Sequence, residues 1–331
     1  MSPPLIKVQN LKKYFPVKAG VFQKTVANVR AVDDISFEIQ LGETLSLVGE
    51  SGCGKTTAGK SMINLIRPTS GKVLLNTNQN DEKNSCVDVA AFGKAKRKQI
   101  RRELQIIFQN PYNSLNPRMT VGQMLKELLR FHHIAKTTAE ARDRIQEILN
   151  VVGLQPSDVD KYPHEFSGGQ RQRIGIARAL LLEPKLIVCD EPVSALDVSI
   201  QAQIINLLIK LRRELNLTYL FIAHDLAVVR HISERVAVMY LGKIVEIAPK
   251  QALYSKPIHP YTEALLSAVP IPDPDIVCRR IILPGEAPSP MNLPPGCRFR
   301  SRCSLAKKIC AEQEPELTPR GHGHFAACHV C

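Results

Sequence analysis

The stretch that most constrains this chain is VGESGCGKTT, residues 48–57, which follows an apolar run and leads into the helix-compatible TTAGKSMINLI. Gly49, Gly52, Gly54, Lys55 and Thr56 fit the spacing G-x-x-x-x-G-K-S/T, and a strand before and a helix after are the context that pattern requires. The glycines let backbone N–H groups wrap a β-phosphate with no Cβ in the way. Lys55 adds a point charge for the β- and γ-phosphates, and Thr56 a hydroxyl for Mg²⁺. The helix N-terminus contributes its positive dipole end. Ser51, Cys53 and Thr57 complete the candidate ATP-binding loop, although no chemistry is expected of the Cys53 thiol. The competing reading is a glycine-rich turn with no ligand.

Two further strands end in polar residues. KLIVCDEP describes a buried strand that emerges with two carboxylates at its C-terminal edge, where open α/β sheets place ligands. Asp190 is expected to hold Mg²⁺ and Glu191 to polarise the attacking water. YLFIAHDL ends near His224, a candidate for the γ-phosphate and the catalytic water; a lone histidine at a strand end is more often a satisfied structural residue. Gln109, closing LQIIFQ, is ambiguous in the same way.

Around these motifs, strand-like runs (LIKVQNL, DISFEI, ETLSLVG, KVLL, LQIIFQ, LIVCDEP, YLFIAH, RVAVMYLGKIVEI) alternate with helical stretches such as Val121–His133 and Glu140–Val152. That alternation predicts an α/β fold around a mostly parallel sheet, with the closely spaced first strands pairing antiparallel. After Leu253 the chain becomes rich in proline and glycine (PIPDPD, LPGEAPSPMNLPPG, EPELTPRG), which predicts a loop-dominated extension. Residues 1–252 are therefore expected to form the nucleotide-binding domain and 253–331 the extension. No internal repeat is visible. No apolar run reaches the roughly 18 residues that span a bilayer. The N-terminus does not read as a secretory signal, so an intracellular location is expected. The net charge of +13 suits an anionic partner. The basic cluster Gly93–Arg102 reads equally as a solvated helix face.

The segment EFSGGQRQRIGIARALLLEP closely resembles the signature of ATP-binding-cassette ATPases. Ser167, Gly168 and Gly169 place a capping hydroxyl and two backbone amides at a helix mouth, an anion site. Ile174, Ala177 and Leu181 follow at three- and four-residue spacing and are expected to be buried. The resemblance spans about residues 5–250. It implies a P-loop NTPase cassette: a RecA-like core, an antiparallel β subdomain and a helical signature subdomain. It also implies that the signature closes on ATP held by a second cassette. Phe15, or alternatively Tyr14, matches the aromatic that stacks on adenine. Gln109 matches a glutamine contacting Mg²⁺ and the transmembrane partner, Ser194–Asp197 a loop crossing the dimer interface, and His224 a switch histidine. No catalytic position departs from the pattern.

IFQNPYNSLNPRMTVG, HPYTEALLSAVPIPDP and PPGCRFRSRC look like the ATPases of di- and oligopeptide importers. That resemblance implies two transmembrane permease subunits, an extracytoplasmic substrate-binding protein, and a peripheral position on the cytoplasmic face of the membrane. It further implies a second, non-identical ATPase. Gln170, directly after the two signature glycines, resembles the F-type member of such pairs. Nickel, glutathione or another small solute is the alternative cargo. Soluble cassettes acting on ribosomes or DNA usually fuse two cassettes or carry a long coiled coil. Neither is visible here, so no nucleic-acid partner is expected. The importer-like tail argues against an exporter.

Five of the nine cysteines fall in the last 35 residues. Cys297, Cys303, Cys310 and Cys328 lack the tight pairs usual in structural zinc sites. Disulfides are disfavoured in the cytosol. A proline-rich extension has little core, so a metal centre is a plausible source of folding energy. The resembled importer ATPases include members with a 4Fe–4S cluster on cysteines of this pattern, which implies one here, its charge offset by Arg298, Arg300, Arg302, Lys307 and Lys308. Ser304 replaces a proline common there. Zinc and free thiols are the alternatives. Cys278 and Cys331 are spare, with Cys331 an alternative fourth ligand.

Overall fold

The protein is described from a computed structural model covering residues 3–20, 22–77, 86–91, 94–269 and 280–331. PIPDPD, Cys278 and Gly93 lie outside the described residues. The chain divides into two compact units, residues 1–90 with 221–331, and residues 91–220.

The first unit opens with an antiparallel hairpin of β1 (Ile6–Ala19) and β2 (Lys24–Ile39), in which Ile6 faces Ile39 and Val8 faces Phe37. Alternation along β1 buries Ile6 and Val8 while Lys7 stays out, the pattern of a sheet with one wet face. After β3 (Thr44–Val48) and α1 (Lys55–Met62) come β4 (Ser70–Asn76) and β5 (Cys86–Asp88). The sheet order β2-β1-β4-β5 is antiparallel at every pairing, as expected for the first strands.

The second unit holds α2 (Lys94–Glu103), β6 (Leu104–Ile107), α3 (Pro111–Ser114), α4 (Val121–His132) and α5 (Thr138–Val151). There follow α6 (Gly168–Leu180), β7 (Leu186–Asp190) and α7 (Val198–Leu215). Thr120 and Gln123 form a reciprocal capping box that starts α4, and His133 ends it in a left-handed conformation. Four-residue spacing buries Val121, Leu125 and Leu129 of α4, and likewise Ala141, Ile145 and Leu149 of α5. β6 and β7 run parallel.

The strand β8 (Thr218–Ile222) crosses the division, after which α8 (Leu226–Ile232), β9 (Arg235–Tyr240) and β10 (Lys243–Pro249) complete the first unit's second sheet. Every residue of β3, β7 and β8 is buried, which is why these stretches read as unbroken apolar runs. β3 and β9 are parallel, but β9 and β10 form an antiparallel hairpin. RVAVMYLGKIVEI is thus two strands, not one. Leu241 and Gly242 turn the chain with φ of 42° and 82°, the two positive values a two-residue primed turn needs.

The extension belongs to the same unit as residues 1–90. Its elements are α9 (Lys250–Ser255), α10 (Pro260–Ser267), α11 (Ile309–Glu312), β11 (Thr318–Pro319) and β12 (Phe325–Ala326). Largely loop, as its proline content predicts, it still adds strands to the existing sheet: β12 pairs with β10 through Glu246–Ala326 and Ile247–Phe325. Glu246, fully buried, ties the pieces together. Its carboxylate accepts the amides of Ile258 and His259 and lies 2.6 Å from His324 Nε2. Phe299 plugs a cluster of Tyr240, Tyr261 and His259, with ring centroids 5.3–5.5 Å away.

Candidate functional site

Candidate residues fall in both units. In the first, the loop after β3 carries positive φ at Gly49, Gly52 and Gly54. A Cβ on Gly54 would strike the Ala31 carbonyl, and one on Gly49 the Met239 carbonyl, so only glycine lets the loop pass there. Lys55 is 5% exposed, and its Nζ donates to the carbonyls of Gly49 (2.7 Å) and Glu50 (3.0 Å). The ammonium is therefore held against the backbone of the loop. Burial pushes the Cys53 thiol up in pKa, so it stays protonated, which fits the expectation of no chemistry there. Thr56 and Thr57 stand on the first turn of α1, and Ser51 is an exposed loop position.

The two aromatic candidates differ in their surroundings. The Tyr14 hydroxyl donates to Asp33, and burial, with that bond, pushes its pKa up to about 12. Phe15 is 38% exposed, with the Lys13 ammonium 4.8 Å from its ring centre. His224 lies exposed between β8 and α8, beside Asp225, whose carboxylate caps α8 by accepting from Ala227.

In the second unit, β7 delivers Asp190 at 2% exposure and then Glu191, whose φ of +47° turns the chain sharply out of the strand. Such a value is uncommon for a residue with a Cβ and marks a constrained position. The Ser194 hydroxyl donates to the Glu191 carbonyl at 3.1 Å and helps to hold the turn. Gln109 Nε2 donates to Glu191 Oε2 at 2.9 Å. The structure thus joins two residues that the sequence leaves 82 positions apart.

Ser167 caps α6, and Gln170 answers it: Ser167 N–H donates to Gln170 Oε1 at 2.9 Å, and Gln170 N–H to Ser167 Oγ at 3.3 Å. The residue read as a subfamily marker therefore has a local task, one a methionine could not perform. A Cβ on Gly169 would lie 2.5 Å from Ile200 and one on Gly168 3.3 Å from Leu196, so α6 packs closely on the start of α7. Asp197 precedes α7 and its carboxylate makes no capping bond. Ile174, Ala177 and Leu181 are buried, as expected. Sequence reading missed Arg171, which donates to the carbonyls of Pro163 (2.6 Å) and His164 (3.1 Å) and stacks 3.9 Å over Tyr112.

In the tail, burial raises the pKa of Cys297 and Cys303, and the charges of the neighbouring cysteines add to it. Burial and then Cys328 push Cys331 up to about 11. Among the described residues, no group of three or more His, Cys, Asp or Glu side chains is arranged to hold a metal ion. The arginines expected to offset a cluster are largely engaged elsewhere. Arg298 pairs with Asp33 and Glu314, Arg302 pairs with Glu50, and Arg300 donates to the carbonyls of Pro295 and Ala311.

A glycine loop with a buried lysine, a carboxylate pair at a buried strand end and a capped Ser-Gly-Gly helix define an ATP-binding cassette, and known proteins bear this out. Residues 32–194 match the ABC transporter family and residues 245–310 the oligopeptide/dipeptide transporter C-terminal region. The oligopeptide transport ATP-binding protein AppF of Bacillus subtilis is 53% identical, over 98% of this chain and 97% of that one. A putative peptide import ATP-binding protein of Brucella ovis is 50% identical, over 98% and 97%. Among solved structures, the dimeric cassette MJ0796 bound to ADP and phosphate aligns with TM-score 0.62 and 29% identity, over 74% of this chain and 98% of that one. The protein cbiO1 of Clostridium perfringens, part of the ABC transporter complex cbiONQ, aligns with TM-score 0.61 and 26% identity, over 76% and 91%. The chain belongs to the ATP-binding subunits of the oligopeptide/dipeptide ABC transporter family.

Proposed function

We propose that this chain hydrolyses ATP to drive a peptide importer, with residues 1–252 as the engine and 253–331 as an importer-specific extension. The observation that carries the chemistry is the Gln109–Glu191 hydrogen bond at the end of buried β7, beside Asp190. Glu191 orients and deprotonates water, His224 assists at the γ-phosphate, and Gln109 links this centre to the permease. Gly49, Ser51, Gly52, Cys53, Gly54, Lys55, Thr56 and Thr57 cradle the phosphates, and Phe15 stacks on adenine. Thr56, Asp190 and Gln109 offer the hard oxygen donors that suit Mg²⁺. Mg²⁺ supplies charge neutralisation on the phosphates.

Ser167, Gly168, Gly169 and Gln170, with Asp197, face the nucleotide of a second cassette. Gln170 supports an F-type subunit paired with a non-identical ATPase, alongside two permease subunits and an extracytoplasmic binding protein. No helix among the described residues is long and apolar enough to cross a membrane, which supports a peripheral place on the cytoplasmic face. Transport tests the function: with the permease, partner ATPase and binding protein present, ATP should drive a labelled peptide across the membrane only when this chain is included.

The tail thiols suit a 4Fe–4S cluster by donor chemistry, four sulfurs in one short extension, with Cys331 as an alternative to Cys328. The raised pKa values of Cys297 and Cys303 mean that binding there must release protons. Protein purified without oxygen should be brown and carry about four irons per chain. A colourless preparation with stoichiometric zinc would refute the cluster.

A further inference from the structure

Within the first unit, three side chains converge on Glu50, the second residue of the phosphate loop. Arg302 reaches its carboxylate with both guanidinium ends, Nη1 to Oε2 at 2.9 Å and Nη2 to Oε1 at 3.1 Å. The Glu50 N–H donates to the Tyr261 hydroxyl at 2.8 Å. Its carbonyl accepts from Lys55 Nζ. Tyr261 and Arg302 both come from the extension, and both are buried. Their placement is fixed from behind. Phe299 is seated among Tyr240, Tyr261 and His259, and the Arg302 N–H donates to the Phe299 carbonyl at 2.9 Å, so one short turn aims Arg302 at the loop.

We infer that the extension sets the phosphate loop for ATP, with Arg302 and Tyr261 as positioning residues acting through Glu50. This rests on the reading of Gly49–Thr57 as the ATP site. Two physical effects support it. A carboxylate beside the triphosphate repels it unless neutralised, and a two-pronged guanidinium neutralises Glu50 while fixing where it points. A loop whose second peptide is held at N–H, carbonyl and side chain has less freedom to lose when nucleotide binds. ATP affinity therefore depends on the docking of a tail that never touches ATP.

The experiment titrates ATP calorimetrically into the full-length chain and follows thermal melting in parallel. Arg302→Ala should weaken ATP binding about tenfold, and Arg302→Lys about threefold, because one ammonium replaces a fork but keeps the charge. Adding Glu50→Gln to Arg302→Ala should recover most of the loss, since the unneutralised charge is then gone; a purely structural brace gives no such rescue. Glu314→Ala, which removes a partner of Arg298 within the tail, should leave ATP affinity unchanged. In the assembled transporter, Arg302→Ala should raise the KM for ATP and change kcat less than twofold. If Arg302→Ala does not fold, Arg302→Lys and the near-isosteric Tyr261→Phe carry the test, each with an expected threefold weakening. ATP affinity within twofold of wild type in these variants, whatever their melting temperatures, would overturn the inference. Lys55→Ala separates the two claims: if it binds ATP like wild type, the loop reading itself is wrong.

Discussion

Glu191→Gln in the assembled complex should cut γ-phosphate release about a thousandfold and leave ATP affinity within a few-fold of wild type. The substitution keeps the shape and one side-chain oxygen, so Gln109 retains an acceptor where it now donates at 2.9 Å. The backbone turn at φ +47° is set by the fold around Ser194 and tolerates an amide as it does a carboxylate. What disappears is the basicity that takes a proton from water, and a positioned general base is worth about 10²–10⁴ in rate. Single-turnover release of labelled phosphate measures it, with ATP retention on the complex as the companion reading. Turnover near the wild-type rate would remove Glu191 from the role of base. On the proposed pairing with a non-identical ATPase, that cassette would contribute its own residual turnover, so the single-turnover amplitude is read alongside the rate.

Gly54→Ala should abolish measurable ATP binding, a loss of at least a hundredfold, and destabilise the chain by about 2–3 kcal/mol. Gly54 sits at φ +109° as the residue that opens α1, and an added Cβ meets the Ala31 carbonyl, which is backbone and cannot swing aside. The loop must move, and with it the amides that would face phosphate. Gly52→Ala is the internal comparison. Its φ is +79°, but nothing lies within 4 Å of the added Cβ, so it pays only for backbone conformation, about 1 kcal/mol. ATP titration and urea midpoints on both variants test this. Equal losses at the two positions would mean that collision with Ala31 is not what makes Gly54 indispensable.

Much of this was legible before any coordinates, because the phosphate loop and the strand ends are local patterns. An apolar run, a turn of glycines and a charged residue follow one another in sequence, and the buried strands β3, β7 and β8 fall where unbroken apolar runs were read. Long-range pairings were not legible. Nothing in CRFRSRC reveals that Arg302 meets Glu50, 252 residues away, or that Arg298 meets Asp33, 265 away. Read locally, those arginines looked like neighbours for a metal cluster. The β9–β10 hairpin was hidden for another reason: Leu241 supplies half of a turn that usually advertises itself with Asn or Asp, leaving only Gly242 as a signal in an apolar run. Phe15 is read ahead of its neighbour Tyr14 in sequence, and what the sequence cannot show is the bond from the Tyr14 hydroxyl to Asp33.

The central claim is that ATP hydrolysis by this chain drives peptide import. The direct measurement is accumulation of a labelled oligopeptide in proteoliposomes containing the two permease subunits, the partner ATPase and this chain, with ATP sealed inside and loaded binding protein outside. Peptide should accumulate above its external concentration, hydrolysis should rise with the loaded binding protein, and both should stop when this chain carries Glu191→Gln. Accumulation that continues undiminished with Glu191→Gln, or hydrolysis indifferent to the peptide-loaded binding protein, would contradict the account.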